Sequence, residues 1–371
     1  MRVSRKLVFG LLLITLWLVS PVAFAADPDF DETHDFLHVV VHGKHYRLDS
    51  LIVKKQGATG PLPIAVITHG TDKTQTANQN LTVDRYRSAA RDLALRGWLA
   101  VVVIRRGFGQ SDGSVEHGVD CKDPHIRRDI DTGADDLQAA IDVVKKRSDA
   151  DPSHIIVMGN SAGGAIAVAL GARNLPGLVG VVSVSGGLRS TCAGWDDKLV
   201  EAYTAYGAAS RVPNLWLYAK NDFVFPAYVV ERLHGAFSKG GSDVQLKEFE
   251  PALKDGHDLF VNGVQWLGEL DDFLRLHHLQ TWSSQEAPAL VRHLGFSQGI
   301  VQTQYAATYM SAPVPKAMAF SPSARRVYYE DGGPNDLAAA RSSALKMCET
   351  AKNTDCGIVM ENDRWIGPAG P

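Results

Sequence analysis

Short apolar runs alternate with segments of helical periodicity between Ile64 and His277. Unbroken apolar runs without a repeat of three or four residues are typical of parallel strands buried on both faces. Strands that alternate with helices predict a mostly parallel sheet with helices on both sides. The predicted strands are Ile64–Gly70, Trp98–Ile104, His154–Met158, Leu178–Ser185, Asn214–Ala219 and Val244–Phe249. The predicted helices are Val83–Arg96, Thr132–Lys146, Ala162–Leu170, Asp196–Ala209, Ala227–Phe237 and Gly263–His277.

Two further strands precede this alternation. Phe36–His42 and His45–Lys54 are separated only by Gly43 and Lys44, and this spacing predicts an antiparallel hairpin. The acidic segment Asp27–Asp35 shows neither period, and we expect it to be a loose lead-in.

The alternation ends after Leu279, and Thr281–Pro288 has the composition of a linker. Beyond it, the pattern predicts three strands, one amphipathic helix and a last strand. These are Thr303–Met310, Ala317–Ser321, Arg326–Glu330, the helix Asp336–Ala351, and Gly357–Glu361. We therefore expect a large α/β domain over residues 26–280 and a small α+β domain over residues 281–371.

The first 25 residues have the pattern of an export signal. Arg2, Arg5 and Lys6 precede the apolar run Leu7–Val19, and Ala23–Ala25 is a small-x-small cleavage pattern. We expect a mature protein that begins near residue 26, without a stable membrane span, in the periplasm or outside the cell. The alternative is an uncleaved membrane anchor, although the run is shorter than the roughly 20 residues of a spanning helix.

The composition is that of an ordinary globular protein, with 45% hydrophobic and 21% charged residues. The formal net charge is −3, so no basic field favours nucleic acid or an anionic membrane as a partner.

The chain contains four cysteines, which in an exported protein suggest two disulfides. Cys348 and Cys356 are close in sequence, and we pair them. Cys121 and Cys192 remain, and both lie in loops that follow strands at the same edge of the predicted sheet. Free thiols are the alternative. No Cys/His spacing matches a metal site, and we expect no metal or organic cofactor.

The strand His154–Met158 leads directly into Gly159–Gly163, a Gly-x-Ser-x-Gly pattern, and then into a helix. This context predicts a sharp strand-to-helix turn that presents Ser161 as a nucleophile. Small neighbours two positions before and after Ser161 are needed because the turn is so tight. A chance occurrence of the pattern is the alternative interpretation.

A serine nucleophile needs a positioned base, which is in turn oriented by a carboxylate. Asp222 follows the strand Asn214–Ala219, and His257 follows the strand Val244–Phe249. The carboxyl ends of parallel strands share one edge of a sheet, so both side chains can meet Ser161 there. Asp222 is otherwise a turn residue, and Asp255 and Asp258 are weaker candidates because they directly flank His257.

Two backbone N–H groups are candidates for stabilising a developing oxyanion. Ala162 follows the nucleophile at the start of its helix, and Thr71 follows the strand that ends at Gly70. We expect His69 to orient the Thr71 loop and not to act as a base.

Five motifs in this order resemble the α/β-hydrolase superfamily, and within it the dienelactone-hydrolase and prolyl-oligopeptidase-like esterase branch. They are Thr68–Gly70, Arg106–Gly113, Gly159–Gly164, Tyr218–Asp222 and Gly256–His257. The resemblance covers Phe36 to His278 and implies a Ser161–His257–Asp222 triad that transfers an acyl group to water. The nucleophile differs from the cysteine of dienelactone hydrolases proper, so the resemblance does not identify a substrate.

These observations favour an exported serine hydrolase that cleaves carboxylic esters. One alternative keeps the triad but cleaves a small peptide or amide. A second is a non-catalytic binding protein on the same fold. We expect a small-molecule ester or short peptide as the substrate, and a partner of unidentified kind for the small C-terminal domain.

Overall fold

The computed structural model describes residues 30–72, 74–115, 121–122, 125–251, 253–261, 263–281, 309, 315–329, 336–362 and 364–367. The predicted signal peptide lies outside the described residues. The predicted strand Thr303–Met310 also lies outside them, except for Tyr309, which is helical.

Eight strands form the large sheet in the order β1-β2-β4-β3-β5-β6-β7-β8. They are β1 (Phe30–Val41), β2 (Lys44–Lys55), β3 (Leu62–Thr68), β4 (Leu99–Val103), β5 (Ala150–Asn160), β6 (Leu178–Val184), β7 (Asn214–Ala219) and β8 (Val244–Phe249). The hairpin β1–β2 and the pair β2–β4 are antiparallel, whereas the pairs from β4 through β3 to β8 are parallel. The predicted mostly parallel sheet is confirmed.

Seven α-helices accompany this sheet in the described part of the chain. They are α1 (Gln75–Gln79), α2 (Arg87–Leu95), α3 (Ile126–Val144), α4 (Ala162–Gly171), α5 (Trp195–Ala209), α6 (Ala227–Ser238) and α7 (Gly263–Leu276). Two short 3₁₀ helices span Val83–Tyr86 and Gly256–Val261. The helix α3 begins earlier than predicted because buried Ile126 and Ile130 extend its apolar stripe.

Successive side chains of each strand enter opposite layers of the protein. In β3, Ile64 and Val66 pack with α3–α6, whereas Ala65 and Ile67 pack with α2 and α7. All four side chains are fully buried. This two-sided burial explains why the central strands are apolar at every position.

The sequence predicted a loose acidic lead-in at Asp27–Asp35. This prediction was wrong for Phe30–Asp35, because β1 already begins at Phe30. Residues Phe30–Asp35 pair with Ser50–Lys55 of β2 in unbroken antiparallel register. The ladder supplies backbone hydrogen bonds that local sequence preference does not reveal, so acidic side chains are tolerated on the solvent side of this edge strand.

A second sheet lies in the C-terminal region and has the order β10-β9-β11-β12. Its strands are β9 (Ala317–Ser321), β10 (Arg326–Tyr328), β11 (Gly357–Glu361) and β12 (Arg364–Trp365), all antiparallel. Helix α8 (Leu337–Thr350) packs against it and is capped by Asp336, whose Oδ1 accepts from the N–H of Ala339 at 2.8 Å. The two-residue strand β12 was not predicted. The small α+β unit is confirmed as a separate sheet.

Both disulfides join the cysteines that the sequence paired. Cys121 is bonded to Cys192, and Cys348 to Cys356. Among the described residues, no helix combines the length and apolar character needed to cross a bilayer.

Candidate active site

Ser161 occupies the turn between β5 and α4 in a strained backbone conformation. Its φ of 54° and ψ of −121° lie outside the regions that residues with a side chain normally adopt. Hydrogen bonds on both sides hold the turn: the N–H of Ser161 donates to the carbonyl of Val184 at 2.9 Å. Its own carbonyl accepts from Gly164 and Gly187 at 2.8 and 3.0 Å. The surrounding backbone therefore imposes this conformation.

Glycines make this turn sterically possible. A Cβ on Gly159 would lie 2.0 Å from the carbonyl oxygen of Gly163, and one on Gly163 would lie 2.5 Å from that of His69. A Cβ on Gly70 would lie 3.0 Å from the Cβ of Ser161. The turn and the loop after β3 thus pack so closely that their backbone atoms leave no room for a side chain between them.

The structure brings together the three side chains that the sequence proposed as a triad. The Nε2 atom of His257 lies 2.9 Å from Oγ of Ser161. The Nδ1 atom of His257 lies 3.0 and 3.2 Å from the two carboxylate oxygens of Asp222. Since a carboxylate accepts hydrogen bonds, Nδ1 carries the proton and Nε2 is left to accept one from the serine hydroxyl.

Asp222 is held by its own loop. Its side chain is fully buried, and Oδ1 accepts from the N–H groups of Val224 and Phe225, both at 2.8 Å. Asp255, a weaker candidate on sequence grounds, instead accepts from the backbone N–H groups of His257 and Phe223 at 2.9 and 3.2 Å. Asp255 therefore fastens the two loops to each other and does not contact the imidazole nitrogens in any described hydrogen bond.

The two candidate oxyanion donors lie beside the nucleophile. Ala162 is the first residue of α4, where helical N–H groups lack internal acceptors. Thr71 follows Gly70, whose N–H donates to the hydroxyl of Tyr86 at 3.2 Å. Within the described residues, the N–H groups of Thr71 and Ala162 donate to no protein acceptor. Both therefore stay candidate donors to a ligand oxygen.

His69 is fully buried behind the Thr71 loop. Its Nδ1 donates to the carbonyl of Gly70 at 2.6 Å, and its Nε2 accepts from the N–H of Arg105 at 3.0 Å. A ring that accepts at Nε2 is neutral. This arrangement matches the expected orienting role of His69.

Arg105 ties the loop after β3 to the loop after β4. Its Nη1 donates to Oγ1 of Thr68 at 2.9 Å and to the carbonyl of His69 at 2.5 Å. Burial lowers the pKa of Arg105 to about 10, and the nearby carboxylate of Asp136 opposes this shift. The guanidinium thus stays charged at neutral pH and holds the carbonyl of His69 in the loop beside the nucleophile turn.

Sequence reasoning missed two residues behind the imidazole. Phe225 packs its ring 5.5 Å from that of His257, and Trp195 packs 6.1 Å from Phe225 on its other side. A Cβ on Gly187 would lie 2.5 Å from the Phe225 ring. Phe225 lies three residues after Asp222 and Gly187 three residues after the end of β6, but no sequence pattern links the two. Their proximity depends on the sheet and not on the sequence spacing.

No group of three or more His, Cys, Asp or Glu side chains in the described part of the chain is arranged to hold a metal ion. The polar groups around Ser161 are instead a hydroxyl, an imidazole, a carboxylate and backbone N–H groups. Such a set suits acyl transfer through a serine nucleophile.

The strand order and the positions of these residues identify the fold. A serine turn follows β5, an aspartate follows β7 and a histidine follows β8 of a sheet ordered β1-β2-β4-β3-β5-β6-β7-β8. The chain has the α/β-hydrolase fold. A family profile described as serine aminopeptidase, S33, matches residues 79–225 of the chain, a span that includes Ser161 and Asp222 but ends before His257.

Solved structures similar to this chain include esterases and a peptidase. A candidate dienelactone hydrolase from Klebsiella pneumoniae is 16% identical, with 67% of this chain and 98% of that chain covered and a TM-score of 0.45. An esterase from Pyrococcus furiosus is 16% identical over 68% of this chain and 92% of that chain, with a TM-score of 0.48. An acylaminoacyl peptidase from Pyrococcus horikoshii is 16% identical over 69% of this chain and 43% of that chain, with a TM-score of 0.47. No sequence among curated proteins matches the chain significantly.

Proposed function

We propose that this chain is a serine hydrolase that cleaves carboxylic esters through an acyl-enzyme. The observation that carries the proposal is the continuous contact from Oγ of Ser161 through the imidazole of His257 to the carboxylate of Asp222, with separations of 2.9 and 3.0 Å. Contact at these distances allows a proton to leave the hydroxyl as Ser161 attacks a carbonyl carbon.

In the proposed first step, Oγ of Ser161 bonds to the ester carbonyl carbon and its proton moves to Nε2 of His257. The negative charge that develops on the carbonyl oxygen accepts from the N–H groups of Ala162 and Thr71. The bond between the acyl carbon and the alcohol oxygen then breaks as the proton passes from Nε2 to that oxygen, the carbonyl re-forms, and the alcohol leaves the acyl-enzyme behind. Asp222 remains ionised and holds the imidazole through Nδ1–H, so the ring keeps its orientation when it becomes charged.

In the second step, His257 takes a proton from water, and the resulting oxygen nucleophile bonds to the acyl carbon. The bond between that carbon and Oγ of Ser161 breaks, and the proton returns from Nε2 to the serine. The products are a carboxylic acid, an alcohol and the original enzyme. Every step uses groups whose contacts have been described, and no cofactor is required.

A labelling experiment tests this proposal. The purified protein is treated with a fluorophosphonate probe and assayed with short- and long-chain nitrophenyl esters. Labelling at Ser161 together with ester turnover is the expected result. We expect Ser161→Ala to reduce turnover by on the order of 10⁴-fold or more and to abolish labelling. Ser153→Ala, which changes an exposed serine of β5, is the control and should retain both signals.

Cleavage of peptides or amides is the second candidate reaction. It is favoured by the aminopeptidase description of the family profile that matches residues 79–225. Aminoacyl and N-acyl-aminoacyl nitroanilides distinguish the two reactions, because an esterase labelled at Ser161 turns over the esters faster than the anilides. Fast anilide turnover would instead favour the peptidase. Absence of labelling would leave a binding protein on a hydrolase fold.

We also propose that the protein is exported. The signal pattern of residues 1–25 and the two disulfides support this proposal, because disulfides form and persist in oxidising compartments. N-terminal sequencing of the protein recovered from a periplasmic extract should begin near Ala26. Recovery of the uncleaved chain in the membrane fraction would contradict it.

A further inference from the structure

We propose that Phe225 is a positioning residue that holds both the imidazole of His257 and the carboxylate of Asp222. The inference rests on the proposed function and deepens it. Phe225 contacts both groups: its ring lies 5.5 Å from the imidazole at an angle of 57°, and its N–H donates to Oδ1 of Asp222 at 2.8 Å. One residue thus fixes the orienting acid through its backbone and the base through its side chain.

The ring of Phe225 is itself confined. It is 1% exposed, and the ring of Trp195 packs 6.1 Å away at an angle of 60°. The ring edge also occupies space that any side chain at position 187 would need, since a Cβ there would lie 2.5 Å from Cζ. Gly187 in turn donates its N–H to the carbonyl of Ser161 at 3.0 Å. The ring is therefore held between the nucleophile turn and α5.

The hydrogen bonds of His257 leave one motion open. They act at Nδ1 and Nε2, on opposite sides of the ring, so the imidazole can still tilt about the line that joins its two partners. The side chain of His257 is 18% exposed, so protein atoms cover most of the ring but leave part of it in contact with solvent. The Phe225 ring blocks the tilt from the buried side.

This restraint becomes more important after acylation. Once Oγ of Ser161 is esterified, it no longer donates a proton to Nε2, and among the described residues the imidazole keeps its contacts with Asp222 and Phe225. Its position must nevertheless remain correct, because His257 then has to take a proton from water. We therefore expect loss of the ring to slow deacylation more than acylation.

Tilting of the His257 imidazole also sets the expected loss of rate when the Phe225 ring is removed. A displacement of about 1 Å in a catalytic group can lower the rate about 100-fold. Phe225→Leu should therefore lower kcat for nitrophenyl esters by about 10- to 100-fold and lower KM along with it, because KM falls together with kcat when deacylation limits turnover. A burst of nitrophenol followed by slower steady turnover should appear, since deacylation becomes limiting.

Phe237→Leu is the matched control. Phe237 is fully buried in the same apolar layer, and its ring packs 5.0 Å from Trp216 rather than against the triad. Both variants remove the same atoms and should lower Tm, but Phe237→Leu should leave kcat within about twofold of the wild type. Trp195→Leu, which removes the ring that packs against Phe225, should give a kcat between those of the other two.

All four proteins are compared at a temperature where circular dichroism shows each to be folded. A loss of kcat in Phe225→Leu that Phe237→Leu does not share supports the positioning role. Equal kcat values for these two variants, with the wild type active, would overturn this inference and leave the proposed function intact. An inactive, unlabelled wild-type protein would overturn the proposed function and the inference with it.

Discussion

The large and small sheets of this protein are stabilised by different means. The large sheet buries side chains on both faces, and its layers contain fully buried aromatic residues such as Trp98, Trp216 and Trp266. The hydrophobic cluster between the small sheet and α8 contains three fully buried residues in the described part of the chain, Ala319, Ala344 and Cys348. One of these three is a disulfide cysteine. Two small alanines bury little apolar area, so the covalent link contributes a larger share of stability there.

This difference bears on where the proposed chemistry can occur. The Ser161 turn needs a backbone held in a strained conformation, and a large two-sided core supplies the restraint. In the part of the small unit that the structure describes, one helix, α8, packs against the sheet around a cluster of three fully buried residues.

The largest effect is expected from Gly163→Ala. Its new Cβ would lie 2.5 Å from the backbone oxygen of His69, which cannot move without shifting the loop of Thr71. We expect a loss of ester turnover of at least about 100-fold and a loss of stability of about 2–3 kcal/mol, measured by urea unfolding.

Gly235→Ala provides the control for that substitution. Gly235 lies in α6, and a Cβ there would meet no atom within 4 Å. Alanine favours a helix over glycine, so this variant should gain about 0.5–1 kcal/mol and keep full activity. Equal changes in ester turnover and stability for the two glycine variants would show that close backbone packing does not maintain the Ser161 turn.

The second effect concerns the small sheet. Replacing Cys348 and Cys356 by serine removes a link between residues 8 positions apart, which in the chain-entropy description costs about 2–3 kcal/mol. Calorimetry should show that a transition belonging to the small sheet moves to lower temperature, while ester turnover is retained. Loss of activity in parallel with this transition would contradict the proposed division of the chain near residue 280.

The smallest effect concerns Asp92 in α2. Burial raises the pKa of its carboxyl to about 6, with a further contribution from Asp271, while Arg96 opposes the shift. Because the folded-state pKa lies above the unfolded value, stability falls as the pH rises from about 4 to about 6 and stays lower above that. Asp92→Asn should therefore stabilise the protein at pH 8 and change little at pH 4.

The expected gain at pH 8 is about 1–2 kcal/mol, less than the full shift implies, since Asp92 keeps partial contact with solvent. Thermal unfolding at pH 4, 6 and 8 measures it. Asp142→Asn, which changes an exposed aspartate of α3, is the control and should not alter the pH dependence. A gain that is the same at pH 4 and pH 8 would exclude ionisation of Asp92 as its cause.

The sequence alone determined the elements that bury both faces and the order of the polar residues that follow them. Apolar runs such as Trp98–Ile104 predicted buried strands, and the serine between Gly159 and Gly163 after such a strand predicted a nucleophile turn. Two strands of the small sheet, Ala317–Ser321 and Gly357–Glu361, were also predicted with the bounds that the structure has, whereas the two-residue strand β12 was not. The strand β1 extended into an acidic segment because its partner β2, and not its own composition, supplies the hydrogen bonds.

The tertiary structure decided which distant groups touch. Asp222 and His257 are 35 residues apart, and His257 and Ser161 are 96 apart, yet parallel strands deliver all three to one edge of the sheet. Phe225, Gly187 and Trp195 could not be found from spacing, because aromatic packing has no sequence period across loops. The pattern of apolar and polar residues indicates which side chains of each segment are buried. Contacts between loops depend instead on the order of the strands in the sheet.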